Sequence, residues 1–97
     1  MRAIVNMMSA NVAAAAGWRA REIRLDKAGA TVEDVFRAVI LKNGVDNLFD
    51  LVSEPQGLKP SFALYVGGEL LRGTFDWARP IVDSEQIQVA DWPMTDF

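Results

Sequence analysis

The 97-residue chain contains no cysteine and no histidine. The first absence excludes disulfides and thiol nucleophiles. Both together exclude structural zinc of the usual kind, and the missing imidazole removes the simplest general base near neutral pH. Positive charge is scarce as well: ten basic residues stand against thirteen acidic ones, for a net charge of −3. No basic field gathers phosphates, so no nucleic-acid partner is expected and a protein with a basic docking surface fits better. No run of about 18 uninterrupted apolar residues exists, and no membrane span is expected. Arg2 followed by apolar residues up to Gly17 imitates a secretion signal, but Asn6, Ser9 and Asn11 interrupt it, and the expected location is the cytoplasm.

What is present is ordinary for a globular chain: 51% hydrophobic and 24% charged residues. At this size folding buries somewhat over ~60% of the extended chain's surface, enough for one core without staples. The expected organisation is one domain over residues 1–92 and a C-terminal tail at 93–97.

Residues 2–8 suit a central strand, with Ala3, Val5 and Met7 on one face and Ile4, Asn6 and Met8 on the other. Ser9 is placed to cap a short helix through Asn11 and the alanines at 13–16, which Gly17 ends. Residues 19–26 alternate as a half-exposed antiparallel strand, Arg21, Ile23 and Leu25 against Glu22, Arg24 and Asp26. Thr31 reads as an N-cap with Asp34 at the third helical position. Val32, Val35, Phe36, Val39 and Ile40 then form a core-facing stripe at helical spacing, with Asn43-Gly44 as its stop. Asp46 or Asn47 caps a second short helix that buries Leu48, Leu51 and Val52, and Pro55 ends it. The segment 54–61, with Pro55, Gly57 and Pro60, reads as a surface connection.

Residues 62–71 carry the clearest β signal. Phe62, Leu64 and Val66 alternate with Ala63 and Tyr65, and Gly67-Gly68 supplies the positive φ of a tight turn before a brief return strand. In 72–83, Phe75, Trp77 and Ile81 read as hydrophobic plugs around Pro80. Asp83-Ser84-Glu85 then turns into a last strand that buries Ile87 and Val89.

No constellation for catalysis, cofactor or metal stands out. Gly68 and Gly73 have phosphate-loop spacing, but Thr74 follows where lysine is required. The pairs Glu33/Asp34 and Asp83/Glu85 read as capping and turn chemistry in preference to acid–base or metal sites, and no third ligand converges on either. Arg19, Arg21 and Arg24 read as a solvated strand face in preference to a docking patch.

The element order, together with Tyr65-Val66-Gly67-Gly68-Glu69 and Asp83-Ser84-Glu85-Gln86-Ile87 at the positions of two turns, resembles the β-grasp fold of ubiquitin-like proteins, and within it the MoaD and ThiS sulfur carriers. The resemblance implies an α+β fold: a mixed four- to five-stranded sheet with one main helix packed across it. It also implies a protein partner, such as a larger enzyme subunit or an adenylating-type enzyme, and no cofactor. The sulfur carriers end in a flexible Gly-Gly whose carboxylate becomes a thiocarboxylate. Here Asp91-Trp92-Pro93-Met94-Thr95-Asp96-Phe97 stands at that end, and the one Gly-Gly pair lies at 67–68, where cutting would delete the last strands of the sheet.

The expectation is therefore a non-catalytic, protein-binding ubiquitin-like module, a small subunit or accessory factor of a larger complex. A sulfur carrier acting after processing or through an atypical terminus is the alternative, and self-association stays open. Trp92, Pro93, Met94 and Phe97 are the expected partner-binding residues; packing over the domain's own sheet is the first reading of their bulk, and insertion into a partner's groove is its rival.

Overall fold

The computed structural model describes residues 1–93. Its elements in chain order are β1 (Arg2–Met7), α1 (Ala10–Ala16), β2 (Ala20–Arg24), α2 (Val32–Ala38), α3 (Leu48–Val52), β3 (Ser53–Glu54), β4 (Gly57–Leu58), β5 (Phe62–Val66), β6 (Glu69–Leu71) and β7 (Glu85–Asp91). Five strands form one mixed sheet in the order β2-β1-β7-β5-β6, and β3 and β4 form a separate two-stranded hairpin. The pairing of β1 with β7 is parallel; β1 with β2, β7 with β5 and β5 with β6 are antiparallel. This is the expected α+β, β-grasp architecture, with five strands and helices packed across the sheet.

One face of the sheet makes the core. Ala3, Val5, Met7, Leu64, Val66, Ile87 and Val89 are buried together with Val32, Val35 and Phe36 of α2 and Leu48 and Val52 of α3. Strand alternation places these sheet residues on one side and helical spacing places their partners, so the two periodicities in the sequence meet in a single cluster. Helix α2 is short, and local chemistry defines its start. The backbone N–H of Asp34 donates to the Thr31 hydroxyl while the Thr31 N–H donates to the Asp34 carboxylate, at 3.2 and 2.9 Å, which completes a capping box.

Four local expectations differ from the structure. The helical stripe ends one residue early: Val39 is already the C-cap in extended geometry, and Ile40 is 68% exposed in a bridge to Asn47. Asn43-Gly44 therefore does not stop α2; Gly44, at φ 88°, turns the chain later, between Ile40 and Asn47. Ser9 precedes α1, but its hydroxyl makes no cap bond. It is buried and accepts the Asp91 N–H at 3.2 Å, tying the helix start to β7 instead. Asn47 caps α3 as expected, whereas Leu51 is only half-buried.

The fourth difference is the segment 54–61, which is structural at its middle. Gly57 and Leu58 are buried in the β3–β4 hairpin. The Gly57 carbonyl accepts the Trp77 indole N–H at 2.8 Å, the Gly73 carbonyl accepts the Leu58 N–H at 2.8 Å, and the Gln56 carbonyl accepts the Phe75 N–H at 3.0 Å. A Cβ at Gly57 would collide with the Gly73 carbonyl, so the glycine is required by close backbone approach.

Two stability outcomes follow from this packing. Phe36→Ala removes a fully buried ring and is expected to cost roughly 3–5 kcal/mol in chemical denaturation; a melting temperature lowered by under about 2 °C would contradict its place in the core. Gly57→Ala is expected to cost about 1–3 kcal/mol by overpacking, and a neutral result would contradict the Gly57–Gly73 contact.

Candidate interaction surface

The second face of the sheet carries no helix from the core cluster, and strand register places its residues in rows. Ala20, Asn6, Gln88, Tyr65 and Leu70 are successive cross-strand neighbours over all five strands. On either side of that row, Glu22, Ile4 and Gln86 align, and Ala63 pairs with Ala90. Ile4, Asn6, Gln88 and Tyr65 are half-buried, while Leu70 and Met8 are each 43% exposed. Apolar side chains thus flank a half-buried centre of carboxamides, which carry both donors and acceptors. Such a face can hydrogen-bond an extended partner and bury apolar area.

Gly67 and Gly68 close the β5–β6 hairpin at φ 57° and 87°. Two successive positive φ angles match the mirror-image two-residue turn that suits the twist of paired strands. The Gly67 N–H donates to the Gln86 carbonyl at 3.0 Å, which fixes the turn to β7.

Of the four expected partner-binding residues, two are described. Trp92 follows β7, half-buried, with its backbone N–H donating to the Ser61 carbonyl at 2.8 Å and the Arg72 guanidinium 3.8 Å from its ring centroid. Pro93 is exposed. Met94 and Phe97 lie outside the described residues. Trp92 also borders a groove of about 320 Å³ shared with Asn11, Val12, Ala15, Leu51 and Phe62. The indole is thus an anchored wall at the end of the sheet.

The carboxylates considered for chemistry are occupied by structure. Asp34 serves the capping box and pairs with Lys27 at 3.1 Å; the Thr31 N–H first, and Lys27 beside it, hold its pKa below the usual 3.8. The Asp83 carboxylate accepts the Arg2 N–H at 2.7 Å, and that bond, followed by the Arg2 charge, lowers its pKa in the same direction. Glu33 pairs with Arg37 at 2.7 Å, and a Glu85 carboxylate oxygen accepts the Val82 N–H at 3.3 Å. Arg24 pairs with Glu22 at 2.8 Å and Arg21 stacks on Trp18 at 5.0 Å, so two of the three arginines near β2 are engaged locally. Among the described residues no group of three acidic, His or Cys side chains could hold a metal ion, and no helix is long and apolar enough to cross a membrane.

No family model matches the chain, and no curated protein matches it. Among solved structures, the crystal structure of SAMP1 from Haloferax volcanii is similar over 100% of both chains, with a TM-score of 0.67 and 15% identical residues. At that identity the likeness is one of fold: the chain has a ubiquitin-like β-grasp fold.

Because both lowered carboxyl groups stay ionised in the fold to lower pH than in the unfolded chain, their contribution to stability is complete above the ordinary value of 3.8. It is lost as pH falls through their depressed folded values. Asp34→Asn keeps an acceptor for the Thr31 N–H but cannot titrate. Denaturation measured from pH 7 down to pH 2.5 is expected to show a shallower acid limb for that variant; an identical limb would contradict the assignment.

Proposed function

We propose that this chain is a non-catalytic ubiquitin-like module that binds another protein, as a small subunit or accessory factor of a larger enzyme or complex in the cytoplasm. The contact residues are those of the open sheet face together with Trp92, Pro93, Met94 and Phe97. The observation that carries this reading is the cross-strand row ending in Tyr65 and Leu70, where half-buried Asn6, Gln88 and Tyr65 lead to a Leu70 that is 43% exposed among the described residues. Aromatic and long apolar side chains suit an interface core, and the row itself carries no charged residue.

A second reading, a small modifier or sulfur carrier acting through a C-terminal thiocarboxylate, takes its support from the whole-length likeness in shape to SAMP1. Against the Gly67-Gly68 pair as the activated group stands its use in the hairpin turn. Intact-mass analysis of protein made in its native host separates the readings. A shortened chain that has exchanged one oxygen for sulfur would favour the carrier; an unexchanged chain recovered with a stoichiometric partner would favour the module.

For the module, Leu70→Lys is expected to change stability by no more than about 0.5 kcal/mol, as for an exposed site. In pull-down from the native host, the same variant is expected to lose the partner that wild type retains. Removing residues 93–97 is expected to weaken that capture with an unchanged melting temperature. Full partner retention by both variants would contradict the assigned surface.

A further inference from the structure

On the helix side of the molecule, α2, α3, the β3–β4 hairpin and the chain from 74 to 78 enclose an open groove of about 790 Å³. Its accessible lining is mainly apolar, and Trp77 is its base. The Trp77 ring meets Phe49 edge-on at 4.8 Å and Phe75 at a tilt at 4.6 Å, with the buried Phe36 behind it at 5.4 Å. Phe49 and Phe75 are half-buried, so aromatic surface is open to the groove. Three carboxylates stand on its walls: Glu33, Glu54 and Asp76.

One wall already receives a cation from the chain itself. The Arg37 guanidinium lies 4.3 Å from the Phe49 ring centroid while its Nε donates to Glu33 at 2.7 Å. A flat cation is thus held by a ring face and a carboxylate together, the combination that favours arginine over lysine. The opposite wall has the same components without the cation. Phe75 supplies the ring, Asp76 uses one carboxylate oxygen for the Ala78 N–H at 2.9 Å, and neither Glu54 nor Asp76 forms an ion pair among the described residues. The two arginines close in sequence are engaged elsewhere, Arg79 with Glu69 at 2.8 Å and Arg72 on Trp92.

We propose that this groove docks an arginine-bearing peptide segment of a partner protein, with a guanidinium seated against Phe75 between Glu54 and Asp76. The net charge of −3 adds a favourable field for such a segment. The proposal gives chemistry to the protein-binding role above but uses a different surface. Its failure would leave the Leu70 result standing, and the reverse holds as well.

The test uses the full chain and a fluorescein-labelled glycine–serine peptide carrying two arginines, with a second peptide in which neutral citrulline replaces both. Anisotropy at low salt measures affinity, and amide shifts locate the contact. Expected are shifts centred on Phe49, Gln56, Phe75 and the Trp77 indole, and loss of binding by the citrulline peptide. Glu54→Gln with Asp76→Asn is expected to weaken the arginine peptide about fivefold, whereas Asp26→Asn with Asp46→Asn, which removes as much charge elsewhere, changes it less than about twofold. Absent binding, equal binding of the citrulline peptide, equal loss in the two double variants, or shifts centred on Tyr65 and Leu70 would each overturn the proposal.

Discussion

The parallel pairing of β1 with β7 is the constraint on which the rest of this fold depends. It joins the start of the chain to residues 85–91 in a continuous register from Ala3↔Glu85 to Met7↔Val89. Both ends are secured: the Ser84 N–H donates to the Arg2 carbonyl at 2.8 Å at one, and the Met8 N–H donates to the Val89 carbonyl at 2.8 Å at the other. Without β7 the β1–β2 pair and the β5–β6 hairpin would share no hydrogen bonds within the sheet, since β7 alone pairs with both β1 and β5. It also places Ile87, Val89 and Ala90 at zero exposure. A parallel contact between segments about eighty residues apart must close a long loop before it gains anything.

That dependence shapes the functional account. Burial of one sheet face under α2 and α3 stabilises the domain, and the same pleat turns the row from Ala20 to Leu70 to the other face, the one proposed for a partner. The Gly67-Gly68 pair belongs to the stabilising part, because its turn brings β6 alongside β5 and its N–H bonds β7. Function by recognition and function by a released glycine terminus therefore make opposite demands on residues 69–91. In the described structure those residues include β7, the strand that unites the sheet.

Much of this was legible in the sequence wherever the determining interaction is local. The Thr31–Asp34 capping box, the Gly67-Gly68 turn and the alternation of β1 each depend on residues a few positions apart, and each forms as expected. Trp77 and Ile81 plug the core as their size implied. Ile40 departs from the pattern because the stripe continues in the sequence after the backbone has left the helix at Val39. Gly57 and Leu58 lie between Pro55 and Pro60, which have the local chemistry of loop punctuation, while their bonds reach Trp77 and Gly73, twenty and fifteen residues away. The aromatic groove had no sequence signal either. Glu33, Phe49, Glu54, Asp76 and Trp77 come from four segments that only the tertiary fold brings together.

The claim that β7 is indispensable, and that Gly67-Gly68 therefore serves as a turn and not as a chain end, is tested most directly on the fragment of residues 1–68. The account predicts a chain with no cooperative thermal transition and collapsed amide dispersion, because neither β1 nor β5 would retain its central neighbour. A fragment that melts cooperatively with native-like amide shifts in β1 and α2 would contradict it.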